Sequence, residues 1–348
     1  MAARGVGTGE SRLQRRFRAS WQASRGLYRV LRANPLTLVG FILVVVIVLI
    51  AFLVVVLPPV TGFLLGHPVS IVPHDPNALL PCAVLPGNVT QCAQPPSVQN
   101  WFGTDNVGRD MFSQVLAALP LDLVIGFSVA GFALLVGTGL GLVAGFWDTP
   151  GTIGGAVSLT IMRVTDIFLA FPSLVLALAI AASLGRGTGP AMLAIMVTWW
   201  PFYVRLVRGE VLAVKHLPYV TAAKAAGVSA WQILFRHVLR NILDPLIVYY
   251  TLDVGTVIVT FSTISFIGIG VPATVPEWGS MVERYERLLL TAPWTVLAPG
   301  AAIFVTVLAF SLLGDGLRDV LDPRSRRALV QPAAASGLPG GSKSGTEG

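Results

Sequence analysis

The sequence predicts an all-α integral membrane protein with six transmembrane helices and both termini in the cytoplasm. Hydrophobic residues make up 54% of the 348 residues and charged residues only 12%, about half the charged share of a soluble domain. Six apolar stretches are each long enough to cross a hydrocarbon core about 30 Å thick. An even number of crossings puts both termini on one side, and the basic residues indicate which side that is.

The N-terminal residues 1–35 form a basic segment that contains eight arginines. We interpret it as a cytoplasmic segment next to membrane lipid, because positive charges collect on the cytoplasmic side of a span. A nucleic-acid partner is not predicted, since no basic stripe interleaved with aromatic residues appears. The uncharged residues 36–57 then form the first transmembrane helix, which Pro58 and Pro59 are expected to end.

Residues 58–120 are predicted to form a long extracytoplasmic loop that is rich in proline and asparagine. Its two cysteines, Cys82 and Cys92, are compatible with a small disulfide if the loop faces an oxidising side, and also with free thiols. Asn88 begins an Asn-Val-Thr glycosylation sequon, which is a weak signal on its own.

Five further apolar stretches predict a five-helix core over residues 121–314. One acidic residue, Asp253, interrupts the fifth of the six spans, and the third span is expected to begin as helix before Asp166. Residues 315–348 are predicted to be a cytoplasmic tail that is disordered after about residue 330, where the composition becomes low in complexity. The five stretches cover residues 123–147, 167–185, 187–204, 245–270 and 288–314.

The distribution of basic residues supports this topology. With both termini in the cytoplasm, 20 of the 24 lysines and arginines lie on the cytoplasmic side. The other four, Arg109, Arg186, Arg284 and Arg287, fall in extracytoplasmic loops. This asymmetry follows the positive-inside rule. It predicts that residues 208–241, between the fourth and fifth spans, form a cytoplasmic loop.

That loop contains the signals of a helix, a sharp turn and a second helix. Pro218 suits the first turn of a helix, and the alanines that follow, including Ala222 and Ala223, favour its continuation. Gly227 is expected to end it, because glycine accepts the left-handed conformation just past a helix end. Ser229 is then the predicted N-cap of the next helix. The small side chains would let another protein approach closely, although an amphipathic hairpin lying on the membrane is the alternative.

The same loop resembles the cytoplasmic coupling loop of ABC importer permeases. That family pattern is roughly Glu-Ala-Ala, three residues, Gly, and about nine residues later Arg-His-x-Leu-Pro-Asn. Thr221 stands here in place of the glutamate and Arg240 in place of the proline. The matching residues are Ala222, Ala223, Gly227, Arg236, His237, Leu239 and Asn241.

Four other segments extend the resemblance to about residues 30–327. They are similar to the C-type permease of dipeptide, oligopeptide and nickel importers. The usual Gly-Ala-Arg near the second span is replaced by Ala118-Leu119-Pro120, so no role of that arginine is carried over. The matching segments are Trp101–Asp110 (WFGTDNVGRD), residues 162–172 (MRVTDIFLAFP), residues 265–279 and residues 313–324 (LGDGLRDVLDPR).

The resemblance implies a type I permease core and a set of partners. These partners are a homologous second permease, two ABC ATPase subunits and an extracytoplasmic solute-binding protein. The helix of residues 219–227, which begins at Tyr219, would dock on one ATPase. The chain itself is not predicted to be an enzyme or to bind a cofactor or metal. It has no phosphate-binding loop, so ATP and Mg are expected on the ATPase subunits. Di- or oligopeptides are the expected cargo, with oligosaccharides or nickel as alternatives.

Ionisable residues inside the spans suggest a pathway or a rival function. Arg163 and Asp166 are three residues apart and are expected to pair on one helix face. Asp253 is expected to face either a water-filled translocation path or a residue of a partner subunit, since exposure to lipid is costly. If the chain were instead a stand-alone secondary transporter, Asp166 and Asp253 would be its ion sites.

Glycines in the second span predict a packing surface. Gly137, Gly139, Gly141 and Gly145 form small-xxx-small patterns, which let transmembrane helices approach closely. In the outer segment Trp101–Asp110, the glycines and the paired Asp and Arg residues predict a tight hydrogen-bonded turn. That turn would either fold onto the spans or contact substrate directly.

Overall fold

The computed structural model describes residues 35–65, 67–85, 89–272 and 274–321. Within this part, five helices, α1, α2, α5, α7 and α9, are long and apolar enough to cross a membrane, and the bent pair α3 and α4 makes up to six spans. The fold is therefore that of a largely helical membrane protein. A short 3-10 helix, Glu286–Leu288, follows α8. The nine longer helices of the described residues are α1 Pro35–Leu65, α2 Met111–Phe146, α3 Ile153–Leu169, α4 Ser173–Leu184, α5 Thr188–Val214, α6 Pro218–Ala225, α7 Ala230–Phe266, α8 Trp278–Tyr285 and α9 Trp294–Leu321.

The prediction that Pro58 and Pro59 end the first helix is wrong. Helix α1 passes through both prolines and continues to Leu65. Each proline removes one helical hydrogen bond, but the residues that follow it still form their backbone hydrogen bonds. In a membrane, backbone groups that left the helix would also find no water to bond with. The Thr61 hydroxyl also donates to the Leu57 carbonyl at 2.8 Å and accepts from the Val69 amide at 2.7 Å, which secures the end of the helix.

The third predicted span is a broken helix. Helices α3 and α4 meet at an angle of 85° across a short gap that ends at Pro172. A proline disfavours helical geometry in the residue before it and cannot donate a backbone hydrogen bond, which explains the position of the break. The predicted count of six spans depends on treating this pair as one crossing.

The outer loop holds a small departure from the predicted all-α class. Strands β1 Ala83–Leu85 and β2 Val89–Gln91 pair antiparallel, with Ala83 opposite Gln91. Cys82 and Cys92 form a disulfide directly next to the Ala83–Gln91 pair. The cross-link holds the two segments together, so a short hairpin forms where the composition predicts only a loop. The sequon residue Asn88 lies outside the described residues, as do the basic segment 1–34 and the tail after Leu321.

Helices α2 and α5 pack through the predicted glycine stripe. A Cβ atom placed on Gly141 would lie 2.6 Å from Val207 Cβ, and one on Gly145 would lie 2.7 Å from Val211 Cβ. Gly137 faces Tyr203 in the same way. Gly139 has no atom within 4 Å of its Cβ position and takes no part. The packing role is therefore confirmed for three of the four glycines. These three are four residues apart along α2, and so are the residues that they face on α5, Tyr203, Val207 and Val211.

Candidate coupling segment and translocation cleft

Helix α6 belongs to residues 208–241, which we call the coupling segment, and has one buried side chain, Val220. Pro218 occupies its first turn, as predicted. Val220 is fully buried in a cluster, whereas Tyr219 and Ala222 are exposed. Because a helix turns about 100° per residue, Ala222 and Ala225 point away from Val220. The outward face of α6 therefore consists of small side chains beside Tyr219. The cluster around Val220 contains Leu142, Val207, Val211, Ile233, Leu234, Val238, Ile242 and Leu246.

The turn after α6 has the predicted conformation. Gly227 has a φ of +75°, in the left-handed region. The amide of Val228 donates to the Ala223 carbonyl at 3.1 Å, and the amide of Gly227 donates to the Lys224 carbonyl at 3.0 Å. These two bonds form a Schellman motif, which satisfies carbonyls at a helix end. The turn thereby gives α6 a defined exit direction.

The second helix of the segment is continuous with the fifth predicted span. Ser229 is its N-cap, and the Ser229 hydroxyl accepts from the Gln232 amide at 3.4 Å. From Ala230 the helix runs to Phe266 as α7, with a π-helical stretch over Ile233–Val238. Arg236 is exposed within that stretch, and the Asn241 amide donates to the His237 carbonyl one turn later. One continuous helix therefore runs from the turn after α6 to Asp253 and beyond.

Two lysines tie the segment to the end of α2. The Lys215 amine donates to the Gly145 carbonyl at 3.0 Å, where a cation complements the C-terminal end of a helix dipole. The Lys224 amine lies 5.5 Å from the centre of the Phe146 ring, within cation–π range. The coupling segment is therefore held against α2 as well as joined to α7.

Asp253 is held by aromatic donors from α5. The Trp199 indole Nε1 donates to both carboxylate oxygens, at 2.8 and 2.9 Å. The Tyr203 hydroxyl donates to Oδ2 at 3.0 Å. These bonds fix the carboxylate in one orientation near the middle of α7.

Asp253 lines an open cleft of about 360 Å³, which we call the central cleft. Its walls come from the break between α3 and α4, from α5 and from α7. The residues that α7 contributes follow the spacing i, i+3, i+4 and i+7, which places them on one helix face. The lining residues are Leu169, Ser173, Thr198, Trp199, Phe202, Tyr249, Leu252, Asp253 and Thr256.

A second cavity of about 400 Å³ lies on the side of the coupling segment, and we call it the inner cavity. Tyr249 and Leu252 line both cavities and so separate them. Asn241, one of the predicted coupling residues, is on the wall of the inner cavity. The two cavities therefore follow one another along α7. The lining residues are Glu210, Asn241, Asp244, Pro245, Val248, Tyr249, Leu252, Arg318 and Leu321.

The expected pairing of Arg163 with Asp166 is wrong. The Asp166 carboxylate accepts from Arg205 of α5 at 2.7 Å. On a helix, a base that precedes an acid gives the weaker orientation, and α5 offers a guanidinium from alongside. Both side chains are largely exposed, and Asp166 does not line the central cleft. The structure therefore does not bring Asp166 and Asp253 into one cavity.

The outer segment Trp101–Asp110 folds onto the bundle around Asp105. This fully buried carboxylate accepts from the Arg109 side chain at 2.7 Å and from the Val107 amide at 2.9 Å. It also accepts from the Tyr285 hydroxyl at 2.7 Å. Asp110 caps α2 by accepting from the Ser113 amide at 2.8 Å. These contacts favour the folding role of the segment over direct substrate contact.

The electrostatics of Asp105 agree with that folding role. Burial alone would raise the pKa of Asp105 above its ordinary value of 3.8. Hydrogen bonds from Tyr285, from Arg109 and from the Val107 amide stabilise the charged form and outweigh burial, so the pKa is lowered. Asp105 therefore remains ionised and stabilises this turn until the pH falls below the ordinary carboxyl range.

Sequence reasoning missed the aromatic residues of the central cleft, above all Trp199, Phe202 and Tyr249. A signal for part of the wall existed, because Tyr249, Leu252, Asp253 and Thr256 have helical spacing around the one acid. Among the residues that the structure describes, no group of three or more His, Cys, Asp or Glu side chains is arranged to hold a metal ion.

Comparison with known proteins places these features in a family. Residues 137–327 match the family described as binding-protein-dependent transport system inner membrane component. The chain is 44% identical over 252 residues to the probable D,D-dipeptide transport system permease protein of Escherichia coli (strain K12). The aligned residues are 72% of this chain and 80% of that protein. It is 38% identical over 302 residues to the dipeptide transport system permease protein of Alkalihalophilus pseudofirmus, covering 87% and 90%.

A third relative agrees with this placement, and a solved structure shares the fold. The glutathione transport system permease protein of Pectobacterium atrosepticum is 39% identical over 229 residues, which are 66% of this chain and 74% of that protein. A chain of the MetNI methionine ABC transporter in an inward-facing conformation has a similar fold, with a TM-score of 0.50 and 20% identity over 60% of this chain and 97% of that one. The chain is a multi-pass membrane protein that belongs to the family of binding-protein-dependent transport system inner membrane components.

Proposed function

We propose that this chain is one of two permease subunits of an ATP-driven importer for di- or oligopeptides. The translocation path lies between it and a homologous second permease. An extracytoplasmic solute-binding protein delivers the peptide, and two ABC ATPase subunits bind ATP and Mg. This chain binds no cofactor of its own. The names of the relatives, which transport D,D-dipeptides, dipeptides and glutathione, support a peptide over an oligosaccharide or nickel as cargo.

The observation that carries the proposal is the construction of the coupling segment. Helix α6 is anchored by the buried Val220 and presents the small residues Ala222 and Ala225 outward. A helix face without bulky side chains suits a groove on a partner protein. The turn at Gly227 and the cap at Ser229 join it to α7, which carries Asp253. One element therefore connects an exposed docking face to the central cleft.

The mechanism follows from this connection. ATP binding closes the two ATPase subunits, and α6, seated on one of them, moves with it. Because α7 is continuous from Ala230 to Phe266, its displacement repacks the walls of the central cleft against the second permease. The spans then alternate between inward-facing and outward-facing states. Nucleotide drives this change only if it stabilises the two states differently.

In this arrangement both termini, the segment between α5 and α7 and the tail after Leu321 are cytoplasmic. The predicted outer loop 58–120 shortens to the segment between α1, which ends at Leu65, and α2, which begins at Met111, and this segment is extracytoplasmic. The roles of three predicted regions stay as proposed: the basic segment 1–35 lies next to membrane lipid, α1 is the first span, and the five helices predicted over 121–314 form the permease core. Tyr219 and Ala222 lie on the docking face, the half-buried Ala223 packs behind it, and Gly227 forms its turn. Ser229, Arg236 and Asn241 hold or flank the start of α7.

A single engineered thiol tests the docking face. Cys82 and Cys92 are the only cysteines in the sequence, and they are bonded to each other. Ala222→Cys therefore adds one reactive thiol, at an exposed position of α6. In the whole importer, a short thiol–amine cross-linker is expected to join this chain to an ATPase subunit, and mass spectrometry of the product identifies the partner.

The matched control is Leu290→Cys, at a position that is 95% exposed. It was predicted to lie in the sixth span, but α9 begins only at Trp294, so the topology places it outside the cell. It is expected to give no product with an ATPase and to react with an impermeant thiol reagent added to intact cells. Cross-linking of position 290 rather than position 222 to an ATPase would overturn both the coupling role of α6 and the proposed orientation.

A further inference from the structure

The central cleft contains one carboxyl group that no basic side chain faces. Asp253 is the only ionisable acid or base among its lining residues apart from the Tyr249 phenol. Among the described residues, no lysine, arginine or histidine nitrogen is recorded within 4.0 Å of its carboxylate. An ionised carboxylate away from water is costly unless a cation pairs with it. The cleft is thus electrostatically suited to a positively charged ligand.

The hydrogen bonds to Asp253 orient the carboxylate but leave its charge in place. Trp199 and Tyr203 donate three bonds between them, and both are neutral donors. A carboxylate has about four lone-pair positions, so acceptor capacity remains for a further donor. We regard Trp199 and Tyr203 as positioning residues that fix where a cation would bind.

The walls beside Asp253 are aromatic. Trp199, Phe202 and Tyr249 line the same cleft. Ring faces attract ammonium groups, most strongly where water is excluded. A carboxylate in a cleft with aromatic walls therefore favours an organic ammonium ion over a bare metal ion, which needs several oxygen, nitrogen or sulfur ligands.

We propose that the central cleft binds the protonated amino terminus of the transported peptide, with Asp253 as its counter-ion. This inference rests on the proposed function, because it assigns the substrate group that the importer path recognises. The volume of about 360 Å³ lies at the lower end of the range for small-molecule sites. The cleft accordingly holds the amino end of a peptide, and peptides whose amino group is acylated lose their anchoring charge.

Two probes that share the same two residues and differ at the amino group test the inference. Alanyl-alanine amide carries one positive charge, and its N-acetyl derivative carries none. Saturation-transfer NMR measures their binding to the purified permease–ATPase complex in nanodiscs without the solute-binding protein. The charged probe is expected to bind at least about tenfold more tightly, since hydrogen bonds to charged groups are strong.

Variants locate the effect at Asp253. Asp253→Asn, which keeps the size of the side chain, is expected to remove the preference for the charged probe. Asp253→Glu, which keeps the charge, retains a measurable preference. The matched control Asp75→Asn makes the same acid-to-amide change at an exposed loop position and leaves the preference at its full value.

The outcomes separate this inference from the proposed function. Equal binding of the two probes to the unmodified complex, or a preference that survives Asp253→Asn, overturns the inference. ATP-dependent peptide uptake by the same complex, reconstituted into vesicles with the solute-binding protein, upholds the importer in that case. Loss of the second permease on purification of the Asp253→Asn complex would also overturn it, because Asp253 would then pair with that partner. Absence of any ATP-dependent uptake by the unmodified complex would instead contradict the proposed function.

Discussion

An importer in which Gly227 is replaced by aspartate is expected to take up its substrate at least about tenfold more slowly while it continues to hydrolyse ATP. Gly227 has a φ of +75°, a conformation that costs most other residues about 1–2 kcal/mol and costs asparagine and aspartate less. Aspartate also places a charge at the end of the docking helix. Because a tenfold change in a population corresponds to about 1.4 kcal/mol, strain and charge together reduce the docked state by this factor or more.

The effect at Gly227 is separable from misfolding. A Cβ atom at this position meets no atom within 4 Å, so normal amounts of protein are expected in the membrane. Gly227→Val, whose β-branched side chain suits the left-handed region worst, should uncouple uptake from hydrolysis in the same way. Gly227→Asn is the control, since asparagine is the commonest substitute for glycine at such a helix end, and its uptake should fall less than about twofold.

Uptake of labelled peptide and ATP hydrolysis measured on the same vesicles decide the matter. Normal uptake by Gly227→Asp at normal membrane levels would remove the coupling role from this segment. A bulky charge at Ala223 should act similarly. Ala223 is half-buried and packs against the cluster around Val220, however, so its substitution also disturbs local packing. Gly227 therefore gives the cleaner result.

The second large effect concerns stability, at Gly141. Gly141→Ala is expected to destabilise the purified chain by about 1–3 kcal/mol, the usual result of overpacking a filled contact. The added methyl group would lie 2.6 Å from Val207 Cβ and 2.9 Å from the Val204 carbonyl oxygen. A backbone oxygen cannot rotate away, so helices α2 and α5 must separate and lose contact along the whole glycine stripe.

The same substitution two residues away provides the control. Gly139 is exposed and has no atom within 4 Å of its Cβ position. Gly139→Ala is therefore expected to be neutral or to stabilise the helix by up to about 1 kcal/mol. Thermal unfolding of the two variants in one detergent makes the comparison. Equal melting temperatures would show that the close approach of α2 and α5 does not hold the fold together.

Local features of the coupling segment could be predicted from the sequence because each depends on its own neighbours. Gly227 after an alanine-rich helix and Ser229 before the next one follow capping rules that act over a few residues. The glycine stripe on α2 was visible for the same reason. Its partners on α5, such as Val207, were not, since a small-residue pattern defines one face of a contact and leaves the other open.

Long-range pairings were beyond a reading of the sequence alone. Asp166 bonds to Arg205, 39 positions away, although Arg163 is nearer in the chain. Asp253 was recognised as an acid inside a span, but its donors Trp199 and Tyr203 are at least 50 positions distant. Only the packing of α5 against α7 brings these groups together.

Prolines predicted one helix end correctly and another wrongly, because a helix continues past a proline where its surroundings favour helical hydrogen bonds. Pro172 marks a real break, where α3 and α4 diverge by 85°. Pro58 and Pro59 mark none, because α1 continues beyond them. The rule that proline ends a helix describes a local cost, and the apolar surroundings of α1 outweigh that cost.

The most direct measurement is purification of the tagged chain from its native host in mild detergent, followed by peptide uptake in reconstituted vesicles. The account predicts that a second permease and ATPase subunits accompany the chain, and that labelled peptide enters only when ATP and the solute-binding protein are present. A chain that purifies alone and transports without ATP would contradict the account. Asp166 and Asp253 would then be the ion sites of a secondary transporter.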